Sequence, residues 1–176
     1  MNMEELRKCV TEIPDFPKKG VLFRDITTLL KNGEALKYAT EEMKKRCSNR
    51  KIDVIVGIES RGFILGGIIA YELGVGFVPV RKKGKLPREV VRAEYELEYG
   101  KDHIEMHKDG ILGGQNVMII DDLLATGGTA EAAVRLVESL GGRVVGLGFV
   151  MELSYLKGRE KLKKYDVFSL IDYDSG

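Results

Sequence analysis

Apolar residues recur along this chain in two rhythms. Over residues 4–10, and again over residues 34–47, the spacing is helical. In the second stretch Leu36, Ala39, Met43 and Cys47 form the apolar stripe, with lysines and glutamates outside it. Residues 52–56, 76–80, 117–120 and 144–151 are short, largely apolar runs rich in Val and Ile, which predict buried strands. Between them, residues 61–73 predict a glycine-containing buried helix and residues 128–140 an amphipathic one. Strands separated by helices predict an α/β protein whose central parallel sheet is flanked by helices. In such sheets ligands bind beyond the carboxyl ends of the strands. Glu59-Ser60-Arg61, Arg81-Lys82-Lys83 and Asp121-Asp122 all fall there, so three loops are expected to converge on one site.

Two stretches break the alternation. Residues 13–20, Ile-Pro-Asp-Phe-Pro-Lys-Lys-Gly, contain two prolines that exclude helix and predict a turn-rich loop. Residues 84–114 are charged and carry alternating segments at 90–99 and 103–107, which predict an antiparallel hairpin or flexible flap over the site. A long polar insertion in a compact α/β domain is more often functional than decorative. His103 and His107 make no metal site, because strand positions four apart are roughly 13 Å from each other at about 3.3 Å per residue. With Glu105 they read as solvent-facing residues alternating with Ile104 and Met106.

Composition narrows the classes. A chain of 176 residues suits one domain, here residues 1–176, and no repeat, low-complexity tract or linker divides it. Its 28 basic and 27 acidic residues leave a net charge of +1, so no global field steers it to nucleic acid or to a membrane. Charge recognition must then be local. Cys9 and Cys47 offer neither a disulfide framework nor zinc-ligand spacing, and each reads as a small buried or half-buried side chain in a reducing cytoplasm. The opening Met-Asn-Met-Glu-Glu is acidic where a signal peptide is basic, and the apolar runs are too short to span a bilayer.

The chemistry concentrates in Val117-Met-Ile-Ile-Asp-Asp-Leu-Leu-Ala-Thr-Gly-Gly-Thr-Ala130. A buried strand delivers two carboxylates, and a small-residue loop leads into a helix. Glycines let backbone N–H groups approach an anion, Thr126 and Thr129 offer hydroxyls, and the helix amino terminus adds a favourable dipole. That suits a phosphate monoester. Asp121 and Asp122 would repel the phosphate, so they must face sugar hydroxyls or a bound divalent cation. A ribose phosphate satisfies all of these demands. Other nucleotide motifs fail: Gly84-Lys85 is followed by Leu86 rather than the Ser or Thr of a Walker loop, and Gly146-x-Gly148 has Met151 where a dinucleotide fingerprint needs its third glycine.

The hydrophobic strand, Asp-Asp and Ala-Thr-Gly-Gly-Thr resemble the 5-phosphoribosyl-1-pyrophosphate (PRPP) loop of type I phosphoribosyltransferases. Phe16-Pro-Lys-Lys-Gly-Val-Leu-Phe-Arg-Asp-Ile-Thr27 resembles the base-recognition segment of the adenine phosphoribosyltransferase family. Gly57-Ile-Glu-Ser-Arg-Gly-Phe63, Arg81-Lys-Lys-Gly-Lys-Leu-Pro87, Leu97-Glu-Tyr-Gly-Lys101 and Leu156-Lys-Gly-Arg-Glu-Lys-Leu162 resemble its other signatures, in the same order. The resemblance covers nearly the whole chain. It implies the type I fold, with a small base-binding hood over residues 1–33 and a flexible flap over residues 82–114.

The resemblance also implies roles. The Leu22 backbone would bond the adenine edge, Phe23 would stack on the ring and Arg24 would lie beside it. Asp121 and Asp122 would contact the ribose hydroxyls and the shell of a Mg2+ carried mainly by PRPP, while Ala125, Thr126, Gly127, Gly128 and Thr129 would wrap the 5-phosphate. Glu59, Ser60 and Arg61, with a strained peptide linkage before the arginine, would hold pyrophosphate, helped by Arg81, Lys82 and Lys85, partly across the interface of a homodimer. Glu98 would be the acid/base beside the purine. The reaction would be displacement of pyrophosphate from PRPP by N9 of adenine, giving AMP. The acidic Glu94 and Glu96 and the histidine at position 107, where glutamine is expected, depart from the family pattern and bear on flap dynamics. Rival readings are a 6-oxopurine phosphoribosyltransferase, a ribose-phosphate pyrophosphokinase, which would be longer and duplicated, and a PRPP-sensing nucleic-acid regulator, which would need a further domain or a basic face.

Overall fold

A computed structural model describes residues 1–96 and 101–176. In chain order the elements are α1 (Met3–Lys8), β1 (Thr11–Pro14), β2 (Leu22–Asp25), α2 (Thr27–Leu30), α3 (Gly33–Cys47), β3 (Val54–Ile58) and α4 (Arg61–Leu73). They continue with β4 (Gly76–Lys82), β5 (Val90–Glu96), β6 (Lys101–His107), β7 (Asn116–Leu124), α5 (Gly128–Ser139), β8 (Arg143–Leu153) and β9 (Val167–Tyr173). Short 3₁₀ turns at Ser154–Leu156 and Gly158–Leu162 lie between β8 and β9. Helix starts follow local chemistry. Asn2 and Glu5 form a capping box on α1, and the Asn32 side chain accepts from the N–H groups of Glu34 and Ala35 at the start of α3.

Among the described residues one sheet has the strand order β5-β6-β4-β3-β7-β8-β9. β4, β3, β7, β8 and β9 run parallel to one another, so their carboxyl ends share one edge. Alternating side chains of β7 feed two cores. Met118 and Ile120 join Leu6, Met43, Leu65 and Ile69 under α1, α3 and α4, whereas Val117 and Ile119 join Leu136, Val137 and Phe149 under α5. No helix of the described residues is long and apolar enough to cross a membrane. Cys9 is half-buried and Cys47 fully buried, both free thiols.

The structure departs from the sequence expectation in several places. The expected 13–20 loop is the turn of an antiparallel ribbon, β1 against β2, in which Pro14 ends the first strand and so removes no interior ladder bond. β9 was not anticipated, although Val167, Phe168, Leu170 and Ile171 carry its apolar signal. β7 runs past Ile120, where its pairing with β3 ends, and continues beside β8 as far as Leu124; the two aspartates therefore sit inside a strand whose other neighbour has stopped. The 84–114 insertion does form the hairpin β5–β6, but β6 also pairs antiparallel with β4, at Arg81 with Glu105 and Lys82 with Ile104, so the sheet is mixed.

Glu105 corrects the reading of a solvent-facing strand. It is 1% exposed, because Arg92 donates to its carboxylate at 2.7 Å and the Gly84 N–H does so at 2.9 Å, closing the loop after β4 over it. Paired on both sides, the buried charge is compensated. The acidic Glu94 is neutralised across the same ladder by Lys101, 2.6 Å away.

Candidate active site

At the carboxyl edge of the sheet lies a cavity of about 260 Å³ lined by Ile58, Glu59, Arg61, Lys82, Tyr95, Ile104 and all of residues 121–130. Three of the expected loops thus meet: the turn after β3, the end of β4 and the loop after β7. Gly127, at φ +78°, bends the chain into α5, and no side chain caps that helix. Gly128, Thr129 and Ala130 therefore present uncapped first-turn N–H groups to the cavity, the arrangement that favours an anion.

The acidic pair is anchored rather than loose. Asp122 is 4% exposed and accepts a hydrogen bond from Nε of Arg61, while Oδ1 of Asp121 accepts from the Asp122 N–H at 2.9 Å. Burial, and then the neighbouring Asp122 charge, push the Asp121 carboxyl well above the ordinary value of 3.8. Gly62 permits this packing. A Cβ there would fall 2.8 Å from the Ile120 carbonyl oxygen and 2.9 Å from Asp121 Oδ1, so α4 could not start so close to β7 with any larger residue. Asp25, held by the Thr27 N–H and hydroxyl, adds a third carboxylate to the field around Arg61.

Glu59 organises the cations. Its carboxylate accepts from Lys85 Nζ at 2.9 Å, from the Lys82 N–H at 2.9 Å and from Arg81 Nε at 3.3 Å. Burial pushes its carboxyl up, but Lys85, the Lys82 N–H and Arg81 together outweigh that and hold it below the usual range. Glu59 thus gathers two cations, Arg81 and Lys85, and the Lys82 backbone at one place, while the Lys82 ammonium lies 3.5 Å from Asp102. The Glu59–Ser60 peptide is cis.

Of the residues expected at the site, Glu59, Arg61, Lys82, Asp121, Asp122 and Ala125 to Thr129 line the cavity, with Ser60, Arg81 and Lys85 beside it. Leu22, Phe23 and Arg24 lie on β2, outside that lining. Phe23 meets Phe16 edge to face at 5.2 Å. Arg24 is buried and directed elsewhere: it donates to Glu12 at 3.3 Å and to the Ser175 carbonyl at 3.0 Å, with its guanidinium 4.0 Å from the centre of the Tyr173 ring. Glu98 lies outside the described residues. Tyr95 was missed by sequence reasoning. Its hydroxyl donates to Asp102 at 3.0 Å and faces Thr129, and burial raises it to about 12, so it ties the hairpin to the phosphate loop. Its alternation with Ala93 on one strand face was the available signal.

Comparison with known proteins agrees with this geometry. Residues 25–175 match the phosphoribosyl transferase domain family. The chain is similar to the adenine phosphoribosyltransferase of Thermoanaerobacter pseudethanolicus, with 55% identity and a TM-score of 0.95 over 98% of this chain and 100% of that one. The Rhodothermus marinus enzyme of the same name shows 49% identity and a TM-score of 0.92 over 97% and 98% of the two chains. That of Saccharomyces cerevisiae shows 46% identity and 0.90 over 96% and 97%. The chain belongs to the phosphoribosyltransferase family, among its adenine phosphoribosyltransferases.

Proposed function

We propose that this protein transfers the 5-phosphoribosyl group of PRPP to N9 of adenine, giving AMP and pyrophosphate in purine salvage. The carrying observation is one cavity bounded by the uncapped loop 125–129, the Asp121-Asp122 pair and Arg61. Those groups match the 5-phosphate, the ribose hydroxyls and the pyrophosphate respectively, with Glu59 keeping the Arg81 and Lys85 cations gathered for the leaving group and anchoring the Lys82 backbone beside them. Bond formation from N9 and cleavage to pyrophosphate at the anomeric carbon build positive charge on the ribose. The carboxylates nearby favour that charge, and Arg61 favours the departing one. The yeast relative was crystallised with adenine and an imino-altritol 1,6-bisphosphate, a base beside a doubly phosphorylated ligand.

For the base, Pro14 stands opposite Leu22 in the ribbon and has no N–H, so the Leu22 carbonyl takes no ladder bond from that partner. A backbone carbonyl and N–H together match the 6-amino group and N1 of adenine, whereas a 6-oxopurine presents the opposite polarity. Residues 1–33 then serve as the hood and the 82–114 insertion as a flap that excludes water. Glu98 on the flap manages a purine proton as nucleophilicity develops at N9.

Magnesium fits as a passenger of PRPP. Among the described residues no three His, Cys, Asp or Glu side chains converge on one point, and one of the two site aspartates is engaged by Arg61. That donor set suits an ion which keeps waters and phosphate oxygens and takes only one or two carboxylates, here Asp121 and Asp122. When bound, it would neutralise pyrophosphate charge. The exposed Ile64 and Tyr71 on α4 suit burial against a second copy in a homodimer, and the free thiols of Cys9 and Cys47 suit a reducing cytoplasm. The test is incubation with PRPP, Mg2+ and each purine in turn. Adenine should be used at least about a thousandfold better than hypoxanthine, and comparable kcat/KM for the two would overturn the base assignment.

A further inference from the structure

The segment Leu156-Lys-Gly-Arg-Glu-Lys-Leu162 lines no part of the cavity, yet Gly158 lies against the back of the phosphate loop. A Cβ on Gly127 would fall 2.5 Å from the Gly158 carbonyl oxygen, and a Cβ on Gly158 would fall 3.0 Å from the Gly127 nitrogen and closer still to the Ala125 carbonyl. Two backbones are therefore in direct apposition, with room for a side chain on neither. Lys157, at φ +56°, turns the chain into this contact.

The next residue fixes the turn in place. Arg159 Nε donates to both carboxylate oxygens of Glu152, at 2.7 and 2.8 Å, while Nη2 lies 2.7 Å from Oε2 and donates to the Ser169 hydroxyl at 3.2 Å. Its Nη1 donates to the Val167 carbonyl at 2.7 Å, and the Ser169 hydroxyl donates to Glu152 Oε2 at 2.8 Å. Glu152, at the end of β8, is only 3% exposed. One guanidinium thus locks residues 157–159 to both β8 and β9, and its planar fork suits that better than an ammonium would.

We infer that Arg159, held by Glu152, is a positioning residue for the PRPP 5-phosphate, acting through Gly158 on the loop at 125–127; this rests on the PRPP reading above. A loop with two adjacent glycines loses much backbone entropy on ordering, so its preorganisation needs an outside wall. The Gly158 turn supplies it. Displacing such a wall by an ångström is enough to cost up to about a hundredfold in binding or rate.

The experiment measures PRPP affinity by calorimetry with Mg2+ and no base, beside adenine KM at saturating PRPP. Arg159→Ala should weaken PRPP at least about tenfold, with adenine KM within about twofold of wild type. Arg159→Lys should fall between. Unchanged PRPP affinity in folded Arg159→Ala, or equal losses for both substrates, would overturn the inference. Should Arg159→Ala fail to fold, Glu152→Gln, which keeps the shape and weakens the charge-assisted bonds, decides by the same criteria. Wild-type protein that binds PRPP without making AMP would count against the proposed reaction and leave this inference open to the same binding test.

Discussion

Arg61 donates through Nε to Oδ2 of Asp122, joining the first residue of α4 to the acidic pair on β7. The Asp122 side chain is 6% exposed and that of Arg61 41%, so the pair runs from the interior to the cavity mouth. Arg61 is the counter-ion of a buried carboxylate, and on the proposed reading it is also a cation for pyrophosphate. Arg61→Ala should weaken PRPP binding and destabilise the protein by about 2 kcal/mol, less than a fully buried pair would lose because the guanidinium reaches solvent. Calorimetric Kd and denaturant unfolding check both parts. A variant of wild-type stability would show that Asp122 does not depend on this partner.

Asp121 gives a pH signature. Because burial and Asp122 raise its carboxyl in the folded state, the folded protein holds a proton that the unfolded chain releases near 3.8. Its contribution to stability is full below that value and is lost as pH rises through the raised folded value. Asp121→Asn should then stabilise the free protein at neutral pH and flatten this part of the stability profile. Activity should move the other way. Replacing Asp121 and Asp122 together by Asn should lower kcat/KM by at least about a hundredfold, roughly 2.7 kcal/mol. A folded double variant with wild-type turnover would remove the carboxylates from the mechanism.

Much of this arrangement was legible in the residues. α4 begins and ends where its apolar spacing placed it, and Val117 to Ala130 announced the strand, glycine turn and helix found there, because short-range patterns encode helices, buried strands and glycine turns directly. Less legible were features set by distant partners. Glu105 alternates like a surface residue but is buried by the Gly84 loop and Arg92, and Arg24 turns from the expected base site to Tyr173 and Ser175, some 150 residues away in sequence. The Gly127–Gly158 apposition has no local signal, since Gly127 already has its positive φ to account for it and the close approach of Gly158 depends on a backbone some thirty residues away.

Tyr173 ties α1 and β2 to the sheet. Its ring lies between the Arg7 guanidinium at 4.3 Å and that of Arg24 at 4.0 Å, on the strand beside Leu22 and Phe23. Each such contact contributes about 0.5–2 kcal/mol. Tyr173→Ala should lower Tm and raise adenine KM more than PRPP KM, whereas Tyr173→Phe, which keeps the ring, should retain most of both. Equal changes in the two KM values would detach this anchor from base binding.

On the proposed reading, Glu98 serves chemistry rather than PRPP binding. Glu98→Gln should reduce kcat on the order of 10²-fold while PRPP Kd stays nearly unchanged. Steady-state kinetics with calorimetry on one preparation separates the two. A matching loss of PRPP affinity would make Glu98 a positioning residue.

The proposed transfer of the phosphoribosyl group to N9 inverts the anomeric carbon. Proton NMR of the nucleotide formed from PRPP and adenine, with pyrophosphate counted in the same tube, reads it directly. β-AMP and pyrophosphate should form in equal amounts. Pyrophosphate released without nucleotide, or a nucleotide of α configuration, would contradict it.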